Sequence, residues 1–192
     1  MVFAMSIAKN PGDITQRMGF IKNLNQVISQ INTARNLDEI MLDISEDVCT
    51  LFNADRLTIY VVGDDKVSLV TKVKTGLDAF QDLKIPIAEQ SIAGYSALNK
   101  KLLNIENVYD EAELQQHSAQ LSFLRGVDRR TGYHTKQMLV APIVEAAGGE
   151  LLGVIQLINN KAGVPFFAWV EDGVRDLSQA IAVAFRQVKR NR

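Results

Sequence analysis

The chain has 192 residues, 47% of them hydrophobic and 22% charged, with a formal net charge of -1. That balance suits a soluble domain and offers no electrostatic footprint for a phosphate backbone, so no nucleic acid is expected as a partner. Cys49 is the one cysteine, which excludes an internal disulfide and any cysteine-rich metal site.

The opening Met1-Val2-Phe3-Ala4-Met5 run is short for a signal-peptide core, and no later apolar run reaches membrane-spanning length. A cytoplasmic location with no membrane partner is the resulting expectation. Residues 1–12 read as a tail, and residues 13–192 as a single domain.

Ile21, Leu24, Val27, Ile28 and Ile31 recur at helical spacing and predict a first amphipathic helix over 13–33. Asn36 with Glu39 has the form of a capping box. Behind it Leu37, Ile40, Met41, Ile44, Val48, Leu51 and Phe52 mark one face of a second helix that ends near Asn53. Cys49 falls in that helix as a small buried thiol.

Residues 56–62 are β-branched and aromatic, residues 67–73 alternate apolar with polar side chains, and Gly63-Asp64-Asp65 between them reads as a turn, so a hairpin is expected. Lys84-Ile85-Pro86-Ile87 suits an edge strand, because proline lacks a ladder donor. Ser91 is placed to cap a short helix through Leu98, with a strand over 102–105 beyond it.

Residues 111–124 are polar and helix-permissive, whereas Gly126, Asp128 and Gly132 break the following stretch into a loop. Strands are predicted over 137–144 and 151–158, joined through Gly148-Gly149. Val174, Leu177, Ile181, Ala184, Phe185 and Val188 then define a last helix, with Glu171 and Asp172 at its start and Lys189 and Arg190 at its end, complementing the helix dipole. Helices at both ends around a mostly antiparallel sheet describe an α+β sandwich.

Chemistry-bearing groups are sparse. No nucleophile stands with a base, there are no paired carboxylates, and no phosphate-cradling loop carries a lysine, so the chain reads as a binding module and not as an enzyme. His117 and His134 give no metal spacing. Phe166, Phe167 and Trp169 read as packing residues beside a helix start, with an aromatic lid as the alternative.

One stretch is more specific. Asp128, Thr131-Gly132, Thr135, Pro142-Ile143, Gly153-Val154 and Asn160-Lys161 together resemble GAF domains, and more narrowly the cyclic-nucleotide-binding modules of phosphodiesterases and adenylyl cyclases. The resemblance implies a GAF-like sheet sandwiched by helices, with long terminal helices that bundle across a homodimer. Sedimentation as a strict monomer at high micromolar concentration would contradict that dimer.

The resemblance also implies a ligand, cAMP before cGMP, with no other cofactor. Its family positions are Thr58, Thr75, Ile92, Ala93, Leu124, Asp128, Thr131, Thr135 and Gln156. Small residues at Ala93 and Gly94 would let a ligand approach the main chain, and Lys74-Thr75 lacks the carboxylate that some cGMP-binding relatives carry. Read as residues alone, Asp128 satisfies local turn amides and both threonines act as strand or cap residues; only the family pattern makes them ligand positions.

A second motif, Asn160-Lys161, Phe167 and Glu171-Asp172, is similar to the Asn-Lys, Phe, Asp-Glu signature of phosphodiesterase GAF domains. That similarity implies a lysine ion pair tying the last strand to the last helix, with the acidic order inverted here. The segments Glu89-Gln90-Ser91-Ile92-Ala93-Gly94-Tyr95 and Val108-Tyr109-Asp110-Glu111-Ala112-Glu113-Leu114 also resemble GAF modules attached to bacterial secretion and pilus ATPases. Those modules imply the alternative function, dimerisation or protein interaction without a nucleotide.

Overall fold

A computed structural model describes residues 11–33, 37–74, 83–146 and 149–190. Its elements in chain order are α1 (Pro11–Thr33), α2 (Leu37–Leu51), β1 (Ala54–Val62), β2 (Ser68–Lys74), β3 (Lys84–Pro86) and α3 (Ile92–Asn99). There follow β4 (Leu103–Ile105), α4 (Glu111–Gln115), α5 (Gly126–Thr131), β5 (Met138–Val144), β6 (Leu151–Asn160) and α6 (Ala168–Arg190). The strands form one sheet in the order β3-β2-β1-β6-β5-β4. Every neighbouring pair is antiparallel, as an α+β sandwich requires.

Strand periodicity sorts side chains onto two faces. Leu57 and Ile59 of β1, Ile155 and Leu157 of β6, and Leu139, Ala141 and Ile143 of β5 bury against the layer made by α1, α2 and α6. That layer contributes Leu24, Val27 and Ile31, then Val48 and Cys49, then Val174, Leu177 and Ile181. Each such aliphatic side chain contributes about 1.5–3 kcal/mol on burial. The opposite face carries Tyr60, Met138, Val140 and Val154 against α3 and the 103–121 segment, so a second core lies there.

Two residues of the signature explain themselves in the sheet. Gly153 lies opposite Val61 in the central β1/β6 pair, and a methyl group there would run into the Tyr60 carbonyl. Pro142 sits beyond the reach of β4, which pairs with β5 only from Met138 to Val140, so its missing N–H removes no bond on that side.

The expected elements recur with local differences. α1 is described from Pro11, two residues before the expected start. The polar stretch after residue 110 is helical only over α4, capped by Asp110, whose carboxylate accepts from the amides of Ala112 and Glu113. The segment read as a loop contains a helix, α5, which Gly132 ends at φ 69°. Six residues are too few for helical periodicity to show in the sequence. Asn36 and Gly148 lie outside the described residues, whereas Gly149 takes φ 65°.

Phe166 is buried in the helical core, and Phe20 meets Phe52 and Trp169 edge-on at centroid distances of 5.3 and 5.1 Å. Phe166 and Trp169 are therefore packing residues, whereas Phe167 is half exposed. α1 has a second, outward stripe, Ile14, Met18 and Ile21, exposed at 43, 67 and 54%. Among the described residues no helix is long and apolar enough to cross a membrane.

Candidate ligand-binding site

A cavity of about 230 Å³ lies between the sheet and the layer of α3 and α5. Alternating β1 residues Arg56, Thr58 and Tyr60 line it, with Gln156 and Ile158 of β6 and Met138 of β5. Thr58 and Gln156 face each other directly across the β1/β6 ladder. The period of two puts these polar groups on the face away from the helical core.

Ile92 and Ala93 at the start of α3 form another wall. Ser91 caps that helix, its hydroxyl accepting from the Gly94 amide at 3.1 Å, as its N-cap position predicts. Among the described residues the Ala93 amide has no protein acceptor. Gly94 has a different job from the one expected. A Cβ there would come within 2.5 and 2.6 Å of the carbonyl oxygens of Pro86 and Ala88, so the glycine admits the chain leading into the helix, not a ligand.

Phe123, Leu124 and α5 residues Gly126, Val127, Asp128 and Arg130 close the cavity, together with Tyr133 and Thr135. Asp128 is buried, and all its contacts are internal. One oxygen accepts from the Tyr109 hydroxyl at 2.8 Å and the Thr135 amide at 2.7 Å, and the other accepts from the Thr135 hydroxyl at 2.8 Å. The Thr135 hydroxyl has spent its one proton on this bond, so it faces the cavity as an acceptor. Burial and this carboxylate raise the Tyr109 phenol above its ordinary range, keeping it a donor.

Gln156 is buried and nearly uncommitted. Its Nε2 makes only a 3.8 Å approach to the Met138 sulfur among the described residues. Seven of the nine positions named from the family pattern thus line one cavity: Thr58, Ile92, Ala93, Leu124, Asp128, Thr135 and Gln156. Thr131 does not. Its hydroxyl donates back to the Val127 carbonyl at 2.9 Å and accepts from the Tyr133 amide, so it finishes α5. Thr75 lies outside the described residues.

The strand-to-helix ion pair is not formed. Lys161 is exposed, and neither Glu171 nor Asp172 pairs with it. Glu171 instead accepts from the Asn104 amide at 3.0 Å, and Arg175 lies 3.7 Å from Glu171 and 2.8 Å from Asp172. Asn160 does hold the fold: its side-chain oxygen accepts from Asn53 at 2.9 Å and from the Ala162 amide at 2.9 Å, joining the end of α2 to the end of β6. Phe167 is half exposed and stacks on Trp169, away from the cavity.

Sequence reasoning missed Arg56, Tyr133 and Asn159. The Tyr133 hydroxyl donates to Asp55 at 2.6 Å and accepts from Asn159 at 2.9 Å, while the Arg56 guanidinium lies 3.4 Å above the Tyr133 ring centre. Asn159, at φ 50°, also accepts from the amides of Lys136 and Gln137. Only Arg56 carried a signal, since it is two residues before Thr58 on the same strand face. The histidines stay apart, His134 stacked on Tyr109 at 5.1 Å and His117 beside Tyr95. Among the described residues no three potential metal ligands come together.

Fold and cavity define the class: an α+β domain with helices on both sheet faces and a small-molecule-sized cavity beneath one helical layer. Residues 36–185 match the GAF domain model, and the chain belongs to that family. It is 26% identical over 140 residues to a probable 3',5'-cyclic phosphodiesterase (pde-5) of Caenorhabditis elegans, covering 67% of this chain and 18% of that protein. It is also 26% identical over 152 residues to the dual 3',5'-cyclic-AMP and -GMP phosphodiesterase 11A of Takifugu rubripes, covering 74% and 16% respectively. The chain therefore spans less than a fifth of the length of these relatives. Among solved structures, the GAF domain of a phosphoenolpyruvate-protein phosphotransferase from Coxiella burnetii superposes with a TM-score of 0.74 at 20% identity, covering 91% of this chain and 97% of that one.

Proposed function

We propose that this domain is a regulatory sensor that binds a cyclic nucleotide, cAMP in preference to cGMP, and signals through α1 and α6. The amide of Gln156 carries the reading. It belongs to a buried residue, lines the cavity opposite Thr58, and has only the Met138 sulfur as a hydrogen-bond partner among the described residues, so its donor and acceptor are available to a complementary ligand. A side-chain amide matches the adjacent donor and acceptor of an adenine edge with two bonds.

Thr135, held as an acceptor by Asp128, adds a second place for a ligand donor such as an exocyclic amine. Guanine asks for more. Its neighbouring ring N–H and amino group call for a strong acceptor, and the one carboxylate among the described cavity residues, Asp128, is already occupied. The similarity to cyclic-nucleotide phosphodiesterases supports a nucleotide ligand in general terms.

A second reading, an interaction module without nucleotide, is favoured by the exposed stripe of Ile14, Met18 and Ile21 on α1. Titration calorimetry on protein stripped of bound nucleotide separates the two. The sensor reading expects heat and a raised melting temperature with cAMP, and weaker binding of cGMP. Absence of both signals with both nucleotides would sink it and leave the interaction module.

A further inference from the structure

We infer that the cavity takes an anionic ligand, and that Arg56, stacked on Tyr133, is the counter-cation that meets the anionic group. The inference rests on the reading of this cavity as a ligand site. It adds a charge requirement and a residue that the family pattern did not name.

The charge balance inside the cavity is uneven. Among the described lining residues Asp128 is the only carboxylate, and its two oxygens already hold Tyr109 and Thr135. Two other cations line the cavity: Lys84 turns to Asp65, its Nζ 2.9 Å from the carboxylate and outside the cavity, and Arg130 is exposed on α5 and is not without a partner of its own. Arg56 is half-buried, lines the cavity, and has no carboxylate partner among the described residues. A cation partly removed from water and left without a counter-charge is costly, and an anion placed beside it returns that cost.

The stacking geometry leaves Arg56 ready for such a partner. A guanidinium lying face-on over an aromatic ring uses its π face, and its N–H groups point outward in its own plane. Those edges suit the two oxygens of a phosphate or carboxylate as parallel donors. The platform is fixed as well. Burial and the bond to Asp55 push the Tyr133 phenol well above its ordinary range, so it stays protonated and keeps donating to Asp55. Asn159 holds the same hydroxyl and ties it to the amides of Lys136 and Gln137. Arg56 thus meets a ligand with little ordering left to do.

For a cyclic nucleotide the anionic group is the phosphodiester, and the uncharged comparison ligand is adenosine. Calorimetry with cAMP and adenosine is run on the unaltered chain, Arg56→Gln and Arg56→Lys, with melting temperatures recorded without ligand. The expected result is tighter binding of cAMP than adenosine, lost in Arg56→Gln by about 10- to 100-fold for cAMP. Adenosine affinity stays unchanged, and Arg56→Lys, which keeps the charge and loses the planar fork, falls between. If Arg56→Gln does not fold, Arg56→Met, which keeps the length of the side-chain stem and removes the charge, takes its place: retention of the cAMP advantage over adenosine in Arg56→Met overturns the inference.

Retention of the cAMP advantage in Arg56→Gln overturns the inference while the nucleotide reading stands. If the unaltered chain binds neither cAMP nor adenosine, the nucleotide reading fails separately, and thermal shifts with AMP and inorganic phosphate decide the charge requirement. Stabilisation of the unaltered chain but not of Arg56→Gln upholds it; no stabilisation overturns it.

Discussion

Gly153→Ala is expected to destabilise the domain by about 3 kcal/mol or more, the upper end of what overpacking costs. Gly153 lies in the middle of the β1/β6 pair, opposite Val61. A Cβ there meets the Tyr60 carbonyl oxygen in hard overlap, with the Tyr60 carbonyl carbon at 3.2 Å and the Val61 Cα at 3.4 Å. All three are main-chain atoms, so no side-chain rotation relieves the clash. The remaining relief is to part the two central strands, which also carry Thr58 and Gln156. Urea denaturation checks this, with Gly126→Ala as the control because nothing lies within 4 Å of its added methyl. A Gly153→Ala midpoint equal to that of the control would show that the strands yield easily.

The second large effect is expected at Asp128. Asp128→Ala leaves the buried Thr135 amide without an acceptor and frees the Tyr109 hydroxyl, together worth about 3 kcal/mol when charged hydrogen bonds are lost. Tyr109→Phe removes one of those bonds and is expected to cost about 1 kcal/mol. Asp128→Asn is more informative about binding. If the amide nitrogen faces Thr135, the threonine hydroxyl must accept from it, and its proton turns toward the cavity. The cavity then offers a donor where it had offered an acceptor. Ligand affinity is therefore expected to fall in Asp128→Asn by more than its change in melting temperature accounts for. Thermal melts and calorimetry on the three variants check this, and equal affinity in Asp128→Asn would remove Thr135 from recognition.

The parts legible in the sequence are those in which one local rule decides. β-branched and aromatic content located β1, alternation located β2, and the capping chemistry of Ser91 located α3. Gly153 and Pro142 stood out as signature residues, and the sheet supplies their reasons. The cavity polarity was not legible, because it depends on where protons and charges are spent. Asp128 was a family ligand position that also suited local amides, and it is occupied by the Thr135 amide, the Thr135 hydroxyl and Tyr109. Thr131 was named with Thr135 as a family position, yet the backbone of α5 turns its hydroxyl onto Val127 four residues back.

Long-range pairings were the least accessible. The contact of Arg56 with Tyr133 joins a strand to a loop distant in sequence, and no periodicity links them. The expected Lys161 pair failed for a similar reason. Asn104 of β4 and Arg175 of α6 reach Glu171 first, and neither neighbour belongs to the motif that suggested the pair.

The central claim is that the cavity under α3 and α5 is where a small ligand acts. Backbone amide NMR of the labelled chain, recorded before and after addition of cAMP, tests it most directly. The claim predicts the largest shifts at Thr58, Ala93, Thr135 and Gln156, with smaller ones reaching α6. Saturating cAMP that moves none of these four amides, or moves only residues of the α1/α2 groove around Gln16, Asn23 and Thr50, would contradict it.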